Sequence, residues 1–412
     1  MSNVFLAISS AEPGDFEGPV RAAARYLPIL PEQSFEHISR DRCSGLWAWS
    51  VFSEAARGSF WAAEGDEALA YNGWVTEDSN VPMSKTVAAG LLDILGRRTL
   101  DHAARRIDGD WSMVRLGSQG QIDGLCDFMG GQHLYFGCRR GRSAVSNRAL
   151  LVAAALYDGV LPTMETNFFA WLLTSVAAPV GNQTPFPDVF LLDPGERLRL
   201  HKGTWETTPI PAVEGEEHCW ESFVENFKCR AAQLKRLPGV SAIIALTGGK
   251  DSRLVLAGMA ASNTLEYIDH AYLRAAPDHP DVTVGRRLAE HYGLEFRLLE
   301  PPDRDGDFLE SIGRHGFQTE FALNAWDMKG FESRERVATI HGLYGEIYRG
   351  HANLGFALGW HRVEAKYLPD SYIDLAGIMT EALRTDLTPL PHSVIQLLDG
   401  YAASDDGAGR PG

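Results

Sequence analysis

Seven consecutive residues, Thr247-Gly248-Gly249-Lys250-Asp251-Ser252-Arg253, combine the residue types that hold phosphate. They follow the apolar run Ala242-Ile243-Ile244-Ala245-Leu246 and precede the helix-forming Leu254-Val255-Leu256-Ala257. Strand, glycine turn and helix start in that order bring backbone N–H groups and the positive end of a helix dipole to one spot. Gly248 and Gly249 let the backbone pass close to a bound group, and Thr247 and Ser252 add hydroxyl donors. Asp251 would repel a phosphate unless a cation lay between them, so its presence implies Mg²⁺. A Walker A loop is excluded, because it needs glycine where Ile244 stands and Ser or Thr where Asp251 stands. The competing reading is an ordinary strand-to-helix turn with a capping serine; the glycine pair, the Asp-Ser pair and the flanking elements together favour the anion cradle. Lys250 either contacts phosphate or is solvated. Arg253 begins the helix and faces the cleft mouth, whereas Asp278 and Asp281 read as turn and helix-cap residues.

The elements that must position this loop follow an alternating rhythm. A helix is expected over Cys219–Leu237, ending at Pro238-Gly239. After it come a strand over Val240–Leu246, a helix over Arg253–Ala261, a strand over Tyr267–Tyr272 and a helix over Val282–Tyr292. Such alternation marks a parallel sheet with crossover helices. The region before about Trp205 is different, being built mostly of short apolar or aromatic runs: Val4–Ile8, Leu46–Trp49, Ser59–Ala62 and Ala68–Tyr71. Asn72-Gly73 reads as a tight turn, since both residues tolerate positive φ. Ser112–Leu116 and Ile122–Cys126 bracket a turn at Ser118-Gln119-Gly120, and Thr86–Leu95 and Leu150–Tyr157 have helical spacing. The first half is therefore expected to be stacked antiparallel sheets with helical cover. Thr207–Glu217, with Pro209, Pro211, Gly215 and three glutamates, reads as an interdomain linker. These boundaries give one domain over 1–206, a second over 218–401 and a small, polar, glycine-rich tail over 402–412, expected to be disordered.

Composition bounds the function. The chain has 412 residues, 45% hydrophobic and 22% charged, which suits two or three globular domains. Its formal charge of −16, from 54 acidic against 38 basic residues, argues against a nucleic-acid or anionic-membrane surface. No apolar run reaches the roughly 18 residues of a spanning helix. The five cysteines are scattered without a CxxC pair, which reads as free thiols in a reducing cytoplasm.

Leu246–Ser252 resembles the SGGxDS loop of the PP-loop ATP pyrophosphatases, with Thr247 for the first serine. Members cleave ATP between the α- and β-phosphates. The first half narrows the resemblance to the asparagine synthetase family. Tyr71-Asn72-Gly73-Trp74 resembles its NGE segment, Ile107–Val114 its LDGMFAFAL run, Cys126–Gly137 its RDxxGxxPLYYG segment and Leu192-Asp193-Pro194-Gly195 its PPG turn. Val145-Ser146-Asn147 and the stretch from His279 to Gly293 are similar to further segments, so the resemblance runs from Val4 to His351. It implies a mixed α/β and α+β fold: an Ntn-hydrolase-like domain of stacked antiparallel sheets, then a parallel-sheet PP-loop domain shortened at its C-terminus. It also implies ATP and Mg²⁺ at Leu246, Thr247, Gly248, Gly249, Lys250, Asp251 and Ser252.

Downstream, Val337–Ile340 reads as a strand, and Gly342-Leu343-Tyr344-Gly345-Glu346 is similar to the family's GEGxDELFGG loop. The resemblance gives Glu346 the place of the acid that holds Mg²⁺ together with Asp251. Tyr344 stands where a β-lactam synthetase tyrosine helps deprotonate the attacking amine; aromatic packing explains it equally well. Two departures matter. The family's glutaminase branch exposes an N-terminal cysteine, and here the second residue is Ser2, so the first domain is expected to be a scaffold without glutaminase activity. After Gly350 the chain is short, and Lys366 is its only lysine there. The expected function is ATP-dependent amide-bond formation on a small-molecule or peptide carboxylate, with the attacking amine on the same substrate, as in β-lactam synthetases and lasso-peptide cyclases. Asparagine synthesis from free ammonia, a degenerate ATP-binding scaffold and a homodimeric state all stay open.

Overall fold

The computed structural model describes residues 3–14, 16–26, 36–40, 42–49, 60–77, 87–97, 100, 107–127, 131–163, 182–210, 225, 228, 240–299 and 336–340. In chain order the first half supplies β1 (Val4–Ser10), α1 (Glu17–Ala24), β2 (Glu36–Arg40), β3 (Ser44–Trp49), β4 (Trp61–Glu64) and β5 (Glu67–Glu77). These are followed by α2 (Val87–Arg97), β6 (Ile107–Leu116), β7 (Ile122–Cys126), β8 (Tyr135–Arg139) and β9 (Arg142–Ser146). The half closes with α3 (Ala149–Leu156), β10 (Val189–Leu191), β11 (Glu196–His201) and β12 (Thr204–Pro209). The strands form two six-stranded sheets, ordered β10-β8-β9-β1-β3-β2 and β12-β11-β7-β6-β5-β4. Every pairing given for them is antiparallel.

Both faces of β1 are covered, which is why Val4–Ile8 is apolar without alternation. Phe5 and Ala7 join Leu46, Ala48, Ala68 and Val114 in the core between the sheets. Val4, Leu6 and Ile8 face the other way, packing with Trp47, Trp49 and the helical side chains Val20, Ala23, Leu151 and Val152. α3 is apolar all round and buried from Leu151 to Leu156, as expected for a helix enclosed by its neighbours. Beyond the second sheet, α2 packs on β4 and β5 through Ala88, Leu91, Leu92 and Leu95. Arg115 of β6 fastens it there, one Nη donating to the Leu95 carbonyl at 3.2 Å and the other to both Glu67 oxygens at 2.8 Å. The layers are helix, sheet, sheet, helix.

The second half supplies β13 (Val240–Ala245), α4 (Lys250–Ala261), β14 (His270–Arg274), α5 (Pro280–His291), β15 (Phe296–Leu299) and β16 (Arg336–Ile340). They make a four-stranded sheet ordered β15-β14-β13-β16, parallel throughout. Ala242, Ile244, Leu246, Leu256, Met259, Ala271 and Ala289 close its core. The strand expected from Tyr267 starts instead at His270, after a 3-10 turn over Leu265–Tyr267.

Two sequence readings change. Asn72-Gly73 is not a hairpin turn: β5 runs straight through it, pairing Asn72 with Ser112 and Gly73 with Trp111. The φ of +92° at Gly73 serves a close backbone approach to β6 instead of a reversal. The proline-containing segment from Thr207 is still strand as far as Pro209, at the sheet edge where proline is tolerated. Ile210 then donates its N–H to Gly195 O at 2.7 Å and packs on the first core. The expected helix over Cys219–Leu237 lies outside the described residues except for Glu225 and Lys228, both helical. Ser2, Tyr344, Glu346, Lys366 and the tail 402–412 lie outside them altogether.

Candidate functional site

β13 has β14 on one side and β16 on the other. The chain proceeds from β13 through α4 to β14 and through α5 to β15, whereas β16 returns to the opposite flank. The carboxyl ends of β13 and β16 therefore border the point where the strand order reverses, the place where open α/β sheets bind ligands. Thr247–Ser252 occupies it. Leu246 is fully buried and donates its N–H to Tyr272 O at 2.9 Å, so the loop leaves from the last rung of the sheet.

Hydroxyl groups shape the turn. Thr247 Oγ1 accepts from Gly249 N at 3.0 Å and lies 3.0 Å from Ser252 Oγ. Ser252 Oγ accepts from Thr247 N at 3.2 Å, with the Thr247 and Gly249 carbonyls at 3.1 and 3.2 Å to take its proton. Both hydroxyls are thus engaged inside the loop, and buried Ser252 ties the strand end to the first helical turn. Ser252→Ala is expected to lower stability by about 1–2 kcal/mol, read from the melting temperature, since it leaves Thr247 N without its acceptor.

Gly249 is the N-cap of the twelve-residue α4, with extended φ −66° and ψ 154° and no side-chain cap. The helix start therefore offers its dipole to whatever sits on the loop. Gly248 has no positive φ, and a Cβ there would lie 2.5 Å from Asp281 Oδ1, so a side chain would oblige that carboxylate to shift. Asp281 belongs to the first turn of α5, where the cap is His279, whose Nδ1 accepts from Asp281 N at 3.2 Å. Asp251 lies half-buried in the first turn of α4. Lys250 and Arg253 are exposed, and Arg253 Nε donates to Gly249 O at 3.3 Å. Leu246 to Ser252 thus come together in one turn. β16 ends at Ile340 beside Ile244, so the chain leaves it at this same sheet edge. The pairing of Asp251 with Glu346 and Tyr344 falls outside the described residues.

A second constellation, which sequence reading missed, lies in the first half. Asn72 Nδ2 donates to Gln132 Oε1, and Gln132 Nε2 donates to Asp110 Oδ2 at 2.9 Å. The Asp127 carboxylate accepts from Gly131 N at 3.3 Å and Gln132 N at 3.1 Å, fixing the loop that carries Gln132. Asp110, Gln132 and Asp127 all lie in runs visible in the sequence, but only strand register brings them together. Burial raises the Asp110 carboxyl to about 6; the Gln132 hydrogen bond opposes this and the Asp127 charge adds to it. Burial, then the Arg148 charge, lowers the His133 pKa. Cys126 is pushed up to about 12 by burial, then by Asp127, Asp193 and Glu196, which leaves an inert thiol.

The raised Asp110 pKa has a signed consequence. The fold favours the protonated acid, so its contribution to stability is full below about pH 4 and is lost as pH rises through 6. Asp110→Asn keeps an acceptor for Gln132 and removes the charge. The variant is expected to be more stable than the wild type by about 2 kcal/mol above pH 7, and the two to converge at acid pH, by denaturant titration across that range.

No family model matches the chain, and no curated protein matches it. Among solved structures it is similar to glutamine phosphoribosylpyrophosphate amidotransferase from B. subtilis complexed with ADP and GMP. The identity is 8%, covering 72% of this chain and 65% of that one, with a TM-score of 0.33. A structure described as the allosteric regulatory enzyme of purine biosynthesis matches with 8% identity over 82% of this chain and 74% of that one, at TM-score 0.32. The NH3-dependent NAD synthetase of Campylobacter jejuni, in complex with nitrate, shares 18% identity over 46% of this chain and 95% of its own, at TM-score 0.21.

Proposed function

We propose that the chain is an ATP-dependent amide-bond-forming ligase of the PP-loop kind, its first half an Ntn-type scaffold without glutaminase activity. One observation carries the reading: an uncapped, glycine-lined helix start seated at the strand-order reversal of a parallel sheet. The helix–sheet–sheet–helix layering of the first half and its order of motifs support the Ntn-type part.

The residues suit the groups implied. Gly248 and Gly249 leave the loop backbone without side chains of its own; a Cβ would press on the Asp281 carboxylate at 2.5 Å and on Thr247 Oγ1 at 3.0 Å respectively. Asp251, with Glu346 as the resemblance implies, would supply carboxylate oxygens of the kind Mg²⁺ takes. A Mg²⁺ held there would supply charge neutralisation on the departing pyrophosphate. The chain's own share is positional. Thr247–Ser252 orients the triphosphate through backbone N–H groups and the α4 dipole, and Lys250 reaches the phosphates from the same turn. A carboxylate oxygen of the substrate attacks the α-phosphorus and the bond to the β-phosphate breaks, releasing pyrophosphate. An amine on the substrate then attacks the acyl carbon, the bond to AMP breaks, and Tyr344 takes the amine proton. The substrate is a small-molecule or peptide carboxylate, and an intramolecular amine makes the product a lactam.

The test begins with binding. ATP with Mg²⁺ at a hundredfold excess over its Kd should stabilise the chain by about 2.7 kcal/mol, raising the melting temperature. Pyrophosphate release is then measured against a panel of amino acids and peptides. A melting temperature that ATP and Mg²⁺ leave unmoved sinks the proposal, and release with aspartate and ammonium alone assigns asparagine synthesis instead.

A further inference from the structure

Gly248 and Asp281 come from different strand–helix units yet occupy one another's space. Asp281 Oδ1 lies 2.5 Å from where a Cβ on Gly248 would stand, so the carboxylate fills the space on the side-chain side of that glycine. Its position is fixed by α5: Pro280 opens that helix, His279 caps it, and the Asp281 N–H is bonded to the His279 ring. Val284, one turn on, also borders the same point of the loop. His279 Nδ1, the acceptor of the Asp281 N–H, also lies 3.9 Å from an Asp281 carboxylate oxygen, and both side chains are partly solvated. Any anion seated on the Gly248 backbone therefore has an aspartate as its near neighbour, in addition to Asp251 in the helix start. A loop meant for bare phosphate has no use for that charge, which opposes the attraction of the α4 dipole.

We propose that Asp281 is a specificity-determining residue: its charge makes the loop reject metal-free triphosphate and accept the Mg²⁺ complex. The inference rests on the reading of Thr247–Ser252 as the ATP site. A triphosphate carrying Mg²⁺ has about half the negative charge of the free species, so repulsion from Asp281 falls mainly on the free form. The rejection is electrostatic, and it weakens as salt rises.

The experiment measures ATP binding to the full chain by calorimetry, once with excess Mg²⁺ and once with EDTA. In the wild type the Mg²⁺ complex binds at least tenfold tighter. In Asp281→Asn, metal-free affinity is expected to rise about tenfold while affinity for the Mg²⁺ complex changes less than threefold, so the preference shrinks. Asp281→Ser, which also suits a first helical turn, should behave alike if the asparagine variant is poorly folded. Gly248→Ala should weaken binding of both forms, and adding Asp281→Ala should restore part of it by vacating the space. An unchanged metal preference in the folded Asp281 variants overturns the inference. Failure of the wild type to bind ATP under either condition overturns the parent reading instead.

Discussion

Asp251→Asn is expected to slow substrate-dependent pyrophosphate release by about a hundredfold or more, with a melting temperature within a few degrees of the wild type. Asparagine keeps the volume of the side chain and one acceptor oxygen while removing the charge. As an acid in the first turn of α4, Asp251 also interacts with the helix dipole, and losing that costs about 0.3–1 kcal/mol of stability. The proposed role is larger. An anionic ligand that holds Mg²⁺ on the leaving group acts where charge develops, and removing such a group costs about 3 kcal/mol or more in the transition state. The two roles separate in one protein preparation, since the first reads out in stability and the second in rate. The shift in melting temperature caused by ATP should also lose its dependence on Mg²⁺. A variant that keeps both the wild-type rate and the Mg²⁺-dependent shift leaves Asp251 as a helix-start acid and nothing more.

Among the described residues of the second half, the strands and helices were legible because each of their signals is local. An apolar run, a glycine pair and a helix start are contiguous, and β13, α4, β14 and α5 lie within a few residues of their expected places. Val337–Ile340 also lies in a strand, and its pairing beside β13 sets the point where the strand order reverses. What escaped was non-local. Nothing in the spacing of Asp281 says that it rests on Gly248, because the contact joins the starts of two helices about thirty residues apart. The Asn72–Gln132–Asp110 chain was hidden for a related reason. Asn72 and Asp110 come from adjacent strands and Gln132 from the loop beyond β7, so only register reveals their meeting. Asn72-Gly73 was misread because the pair carries the strongest turn signal of short-range chemistry, and here tertiary pairing overrode it.

That override makes a single methyl group costly at Gly73, and Gly73→Ala is expected to destabilise by about 4 kcal/mol. A Cβ on Gly73 would stand 1.9 Å from the backbone oxygen of Asp110, and backbone cannot swing aside as a side chain can. β5 and β6 would have to part by more than 1 Å at Gly73–Trp111, near the middle of a ladder that runs from Ala68–Leu116 to Glu77–Ile107. Several ladder hydrogen bonds would weaken, each worth about 1 kcal/mol, and the φ of +92° adds about 1–2 kcal/mol for any residue bearing a Cβ. Gly65→Ala is the control. Gly65 also has positive φ, +60°, in the turn between β4 and β5, but a Cβ there meets nothing within 4 Å. It should cost only about 1 kcal/mol, from backbone strain alone. Denaturant titration of the two variants separates space from strain. It also discriminates between the two placements of Asn72-Gly73, because in an exposed hairpin turn Gly73→Ala would cost no more than Gly65→Ala.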